Sequence, residues 1–185
     1  MKKIKSVSIL FAVFLLAISG SVIEASDIPA DQTEGIFLNE LDYFEKDSWF
    51  SVTSGGEDSF GNAFHYQLHA SRGAFDTNQK SITYYLGRQY SSLTGQLFIP
   101  KRANSTTSGH GLNWDTAAFT IYQVDENGNQ TTLYKKNNFT NMMKPESVTV
   151  DLSDVEFLKI EFLDCVYSDT GLSEPLVSFG DPMLY

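Results

Sequence analysis

Trp114 is the residue of this chain whose surroundings best fit ligand recognition. It sits near the end of a long polar run, Lys101 to Asp115 (KRANSTTSGHGLNWD), with Arg102, His110, Asn113 and Asp115 close by. An exposed aromatic face stacks against the C–H face of a sugar ring, and neighbouring polar side chains fix the hydroxyls. A long loop in a compact domain is a common home for such a site. The competing use of Trp114 is as a plug in one end of the fold, since a Trp buries most of its area. Tyr167, with Asp169 in the loop Tyr167 to Pro175, offers a second aromatic contact of the same kind. Trp49, beside Phe50 and flanked by Asp47 and Ser48, is also a candidate but reads better as a core residue.

Other chemistry finds less support. His65 and His69 are four apart, a zinc-ligand spacing on a helix. Here the segment reads as a strand, where His65, Gln67 and His69 line one face, and no third ligand completes a site. A structural Ca²⁺ would need several oxygens converging from loops. Asp58, Asp169 and Asp181 are available, but nothing in the sequence ties them to one point. Cys165 stands alone among apolar neighbours and beside Asp164, which opposes thiolate formation, so it reads as a buried inert thiol. There is no Gly-x-Ser-x-Gly, His-Glu-x-x-His or phosphate-loop pattern, so the expectation is a non-enzyme that needs no cofactor.

The elements that must position these residues are strands. From Gly35 onward, short apolar runs alternate with turn residues. Ile36 to Leu38, Ala63 to Leu68, Ser81 to Leu86 and Leu93 to Ile99 have strand length. The period of two is clearest later. Phe119 and Ile121 share one face; so do Val148, Val150 and Leu152; so do Leu158, Ile160 and Phe162, with Lys159 and Glu161 pointing out. Asn127-Gly128, between Ile121–Val124 and Thr131–Tyr134, signals a hairpin. A short helical turn is expected near Asn39 to Lys46, and a last strand over Leu176 to Tyr185. Many short strands without helical crossovers predict an all-β sandwich in one domain.

The first residues have another use. Lys2, Lys3 and Lys5 precede an apolar run of about 12 residues, Val7 to Ile18, and then small residues, the layout of a secretory signal peptide. A run of that length is short for a membrane span. The expected organisation is a signal peptide over 1–25, a flexible leader over 26–34 and the sandwich over 35–185. Cleavage after Ala25 would take three Lys and one Glu from the 13 basic and 23 acidic residues, leaving 10 and 22 and a net charge of −12. Such a surface repels nucleic acid and anionic membranes, and costs a neutral glycan nothing. The expected location is extracellular, with no membrane attachment after cleavage.

Four segments in order resemble the NPCBM family of carbohydrate-binding modules. They are Ile36 to Leu41; Asp58-Ser59-Phe60-Gly61-Asn62 with an aromatic at Phe64; Ile82 to Gly95 (ITYYLGRQYSSLTG), similar to the family's Tyr-x-Leu-x-x-x-Tyr-x-x-Phe/Leu-x-Gly signature; and the closing pair Val148 to Ile160 and Val177 to Pro182. The resemblance covers nearly all of Gly35 to Tyr185. It implies a galactose-binding-like jelly roll that binds a polysaccharide or glycan. Within the signature, Gly87, Gly95, Tyr84, Leu86 and Leu93 serve structure rather than ligand contact. Family members often sit beside a glycoside hydrolase domain, and none is present in this sequence. The alternative expectation is an exported protein-interaction or envelope module without sugar binding, marked by an apolar surface patch and a surface protein partner.

Overall fold

The computed structural model describes residues 34–71, 79–101, 116–140, 143–169 and 172–185, with 166–169 and 172–174 described by their backbone. The expected signal peptide lies outside them. Two antiparallel sheets face each other. The first runs β3 (Phe50–Glu57), β4 (Ala63–Ala70), β13 (Ser178–Leu184), β6 (Ser92–Phe98) and β9 (Glu146–Asp151), with short β1 (Ile36–Phe37) also paired to β13. The second runs β2 (Tyr43–Lys46), β5 (Gln79–Tyr85), β10 (Phe157–Leu163), β7 (Ala118–Val124) and β8 (Gln130–Asn137). A separate ribbon, β11 (Val166–Asp169) paired to β12 (Leu172–Pro175), stands between β10 and β13. Among the described residues no helix is long and apolar enough to cross a membrane.

The alternation read from the sequence sets the core. Ile82, Tyr84, Leu86, Phe119, Ile121, Val148, Val150, Leu152, Leu158, Ile160 and Phe162 are each at most 4% exposed. Aromatic rings join the sheets: Phe119 lies 5.0 Å from Phe162 and 5.1 Å from Phe179, and Phe50 lies 5.7 Å from Phe162. One outward residue is shielded all the same. Glu161 faces away from the core yet is only 8% exposed, because β10 is the central strand and its neighbours close over it. Its carboxylate accepts hydrogen bonds from Gln79 Nε2 (2.7 Å) and Tyr122 Oη (3.3 Å) and lies 3.2 Å from Lys159 Nζ.

Other expectations shift. The helical turn expected over Asn39 to Lys46 is a 3₁₀ turn at Leu38–Glu40 followed by the strand β2. The first strand stops at Phe37 rather than Leu38, and the last spans Ser178–Leu184. The expected loop Tyr167 to Pro175 contains the β11–β12 ribbon, with Tyr167 paired to Glu174. The Asn127-Gly128 hairpin is present, but Val124 pairs with Gln130, so Asp125 to Asn129 forms a wider loop than a two-residue turn. Asp125 Oδ1 accepts the N–H groups of Asn127 and Asn129, and Oδ2 accepts Asn129 Nδ2. Asp58 treats Phe60 and Asn62 in the same way. Both turns read Asp-x-x-Gly-Asn and place the glycine at positive φ, 89° for Gly61 and 83° for Gly128, where an L side chain is disfavoured.

Strand β4 pairs with β13 from His69 to Gln67 and then leaves it. At the departure point Asp181, with φ 45°, accepts the N–H groups of His65 (2.8 Å) and Tyr66 (2.9 Å). Beyond it β1 takes over the vacated edge, pairing Ile36 with Leu184 and Phe37 with Met183. The far end of the β3–β4 hairpin therefore folds back toward the end of β6. Phe64 stacks on Phe98 at 4.0 Å, Asp58 bridges Pro100, and Ser59 N–H donates to Ile99 O at 3.3 Å. Gly180 lies beneath this stack, where an added Cβ would come within 2.5 Å of Phe64 and 2.8 Å of Phe98. Asp58 and Asp181 thus hold backbone groups, and among the described residues no three His, Cys, Asp or Glu could share a metal ion.

Replacing Gly180 by Ala will force the stacked pair apart. The expected cost is about 1–3 kcal/mol, read as a lower urea midpoint with an unchanged slope; an unchanged midpoint would contradict this account of the hairpin. A second expectation concerns acid. His69 pairs in register with Ser51 and Ser178, and burial lowers its pKa from 6.5 to about 4. The unfolded chain then binds the proton more readily, so stability is complete above pH 6.5 and falls as the pH drops toward 4. The loss should reach at most about 2–3 kcal/mol, and His69→Gln should flatten the change in urea midpoint between pH 7 and pH 4.5.

Candidate functional site

The strand registers bring several connections to one end of the sandwich. In the second sheet Gln79 pairs with Leu163, Leu163 with Ala118, and Ala118 with Asn137. In the first, Phe50 pairs with Ala70, and Ser178 lies between His69 and Phe98. The turn Asp47 to Trp49 joins the two sheets at this end. The connections β4–β5, β6–β7, β8–β9 and β10–β13 leave from it as well. The expected contacts Arg102, His110, Asn113, Trp114 and Asp115 belong to the β6–β7 connection and lie outside the described residues. Tyr167 belongs to the β10–β13 connection, where its backbone is in β11.

Trp49 corrects an expectation. It is not a core residue: it is 55% exposed, while its neighbour Phe50 is 1% exposed. The backbone explains the difference. Trp49 has φ 68°, a left-handed conformation that breaks the strand pattern and turns successive side chains to different surroundings. The turn is held on both sides. Asp47 Oδ2 accepts the N–H (2.7 Å) and hydroxyl (2.9 Å) of Ser81 on β5. Trp49 O accepts the N–H (2.7 Å) and hydroxyl (2.8 Å) of Ser71 at the end of β4. Lys46 Nζ donates to Phe50 O at 3.0 Å. An exposed indole is thus presented on a backbone fixed by hydrogen bonds. The left-handed angle is not written in the residue type, so the sequence alone gave no signal for it.

The neighbouring groups have settled roles. Cys165 is fully buried at the base of the ribbon, where Leu176 N–H donates to Cys165 O at 2.8 Å. Burial pushes its thiol up to about 12, and its S–H donates to Ala118 O. It is the inert thiol expected. Lys80 is carried to the same end and is 3% exposed. The base of the β6–β7 connection is pinned by the folded-back hairpin, through the Asp58–Pro100 bridge and a 2.7 Å ion pair between Lys101 and Glu57.

Among the described residues, two hollows lie away from this end. One, of about 440 Å³, opens on the flank between the edge strands β2 and β3 and is lined by Tyr43, Tyr66, Tyr84, Asn39 and Asp42 among others. The other, of about 430 Å³, lies on the outer surface of the five-stranded sheet, bordered by Phe44, Phe157 and the Asp125–Asn129 turn. The sequence reading placed no function at either.

No protein-family profile matches this sequence, and no curated protein is similar to it. Solved structures do match in fold. The CBM51-2 and INT domains of ZmpB from Clostridium perfringens superpose with a TM-score of 0.54 at 12% identity, over 82% of this chain and 31% of that one. The same pair of domains with CBM51-2 in complex with GlcNAc gives the same figures. The M60 catalytic domain of ZmpB with CBM51-1 and CBM51-2 gives 0.56 at 12% identity, over 82% of this chain and 15% of that one. What is shared is the fold. The neighbours are carbohydrate-binding modules, and this chain has their jelly-roll sandwich. It spans under a third of the length of each of these three chains.

The turn at Trp49 yields a direct test. A glycine accepts φ 68° without the penalty of an L side chain, about 1–2 kcal/mol. If the indole is there for contact rather than packing, Trp49→Gly will leave thermal stability unchanged or raise it by up to about 1 kcal/mol. A loss of more than about 2 kcal/mol would mark Trp49 as structural.

Proposed function

We propose that this chain is an exported, non-catalytic glycan-binding module of the NPCBM kind. It takes a saccharide at the end of the sandwich that carries Trp49, through contacts from Trp114, His110, Asn113, Arg102 and Asp115 on one connection and Tyr167 on another. The observation that carries the reading is Trp49. A large aromatic side chain is exposed on a hydrogen-bonded turn held against its backbone preference, at the end of the fold from which these connections leave. Strain kept at a rigid position is a mark of function when nothing in the packing requires it.

The chemistry agrees with this. A sugar needs a flat apolar face and a few oriented polar groups, and an aromatic ring on a fixed turn supplies the first at low entropic cost. The acidic surface, with a formal net charge of −10 for the whole sequence, disfavours anionic polymers and leaves neutral glycans unaffected. The fold it shares with carbohydrate-binding modules, one of them described with GlcNAc bound, supports the same class of ligand. Recognition through a shallow end of a sandwich gives weak affinity for a single site, because little surface is removed from water.

Affinity electrophoresis checks the reading. In native gels containing soluble galactan, glycol chitin or xyloglucan, the protein should be retarded by at least one, without release of reducing sugar. Trp49→Ala and Trp114→Ala should each weaken that retardation by tenfold or so, the loss expected for a principal stacking contact of about 1.4 kcal/mol. Free migration through all three gels would overturn the proposal.

A further inference from the structure

The large apolar side chain most exposed in the described fold is not in the loops at all. Phe44 is 67% exposed on β2, and Tyr85 is 54% exposed on the neighbouring strand β5. Both rings meet Phe157 of β10, Phe44 edge-on at 5.2 Å and Tyr85 tilted at 5.1 Å. Three contiguous rings on the outside of a sheet serve no core. Isolated exposed hydrophobics are ordinary, but an exposed cluster with a defined geometry marks a contact surface.

The backbone puts Phe44 there. Tyr43 pairs with Tyr84 and Glu45 pairs with Thr83, so Phe44 is the extra residue of a β-bulge. Bulges adjust the aim of a side chain, and here the ring of Phe44 lies on the outer face beside Phe157. Two of these rings, Phe44 and Phe157, line a hollow together with Val124, and most of its other lining is polar. Ser81 and Thr83 line it from β5 and Lys159 from β10. Lys159 is held in place by Glu161 at 3.2 Å and lies 5.8 Å from the centre of the Tyr122 ring. The Asp125–Asn129 turn forms one wall, rigid through its internal hydrogen bonds.

The site therefore combines stacking faces, two hydroxyls, a fixed ammonium and a volume of about 430 Å³, within the range of small-ligand sites, roughly 300–1,000 Å³. Its charges select among ligands. Glu45, Asp125 and Glu126 line it against the single cation Lys159, so phosphate, sulfate and acidic sugars are repelled. Its hydroxyl- and ammonium-bearing floor would leave a purely apolar partner with polar groups to desolvate. We infer that this hollow is a second carbohydrate site, taking a neutral saccharide chain on the outer face of the five-stranded sheet, from the Asp125–Asn129 turn to Ser81, whose N–H and hydroxyl Asp47 accepts in the Trp49 turn. The inference rests on the reading of this protein as a glycan-binding module. It adds that the ligand is an extended polymer or a multivalent surface, engaged at two places by one domain.

The test separates the two claims. Phe44→Ala removes an exposed ring and should leave the melting temperature unchanged. In glycol chitin gels, Phe44→Ala and Trp49→Ala should each reduce retardation, Phe44→Ala by about three- to tenfold, and the double variant should migrate freely. Calorimetric titration with chitotetraose should fit two sites in the wild type and one in Phe44→Ala. If Phe44→Ala is retarded like the wild type while Trp49→Ala is not retarded, the second site is refuted and the first stands. If galactan or xyloglucan retards the wild type and glycol chitin does not, the same comparison of variants is made in that gel, and if none of the three retards it, both claims fall. If Phe44→Ala instead turns a dimer into a monomer in size-exclusion chromatography with retardation unchanged, the cluster is a protein contact and the inference is wrong.

Discussion

The sandwich depends on aromatic rings meeting across the two sheets. Phe179 of the first sheet packs against Phe119 of the second, which packs against Phe162, which in turn meets Phe50 of the first. All four are at most 1% exposed. Truncating any one would cost about 3–5 kcal/mol, a large part of the stability of a domain this size. The seam also dictates what surrounds it. Phe179 lies so close to Gly95 that a Cβ there would come within 2.4 Å of the ring. The glycine that closes the Ile82-to-Gly95 segment is thus required by a ring from the last strand, which is why the segment serves structure.

A second constraint follows from the short reach of β4. Once that strand leaves β13 at Gly180, two sets of backbone groups need partners. Asp181 supplies acceptors for His65 and Tyr66, and β1 supplies a strand for Met183 and Leu184. An unpaired buried N–H costs about as much as a lost hydrogen bond, so these compensations come as a set. The freed hairpin covers Phe98, which would otherwise be an exposed ring, and it ties down Ile99, Pro100 and Lys101. The long connection that follows begins from an anchored base.

The legible part of the fold was the part under hydrophobic constraint on one face. β5, β9 and β10 were readable because apolar core side chains alternate with outward ones, and β7 because Phe119 and Ile121 share its core face, although Thr120 between them is buried too. β2 and β3 were not, since as edge strands they are exposed along most of their length and Phe50 alone in them is buried. With no buried face there is no period of two to detect. Glu161 points outward as the alternation says, but on a central strand even the outer face is shielded, so an outward charge does not imply solvent. Trp49 was read as core on residue type, and only a backbone angle reversed it. Phe44 gave no signal because a bulge is invisible in residue order. The site residues on the β6–β7 connection were chosen by composition, and the fold contributes the position of their anchor rather than of their side chains.

Weak single sites and a rigid scaffold belong together physically. A shallow contact gains little from buried area and loses translational freedom on every binding event. A domain that meets a polymer at two places makes the second event intramolecular, and the gain depends on both sites holding a fixed separation. A β-sandwich closed by an aromatic seam provides that separation without a flexible linker. The sites then need only present rings and hydroxyls on an unmoving frame. Under the two-site proposal, that would be the role of the hydrogen bonds at Asp47 and Ser71 beneath Trp49, and of the ladder that seats Phe157 between Tyr85 and Val124 beneath Phe44. In each case order is established during folding, so none has to be created when a ligand arrives.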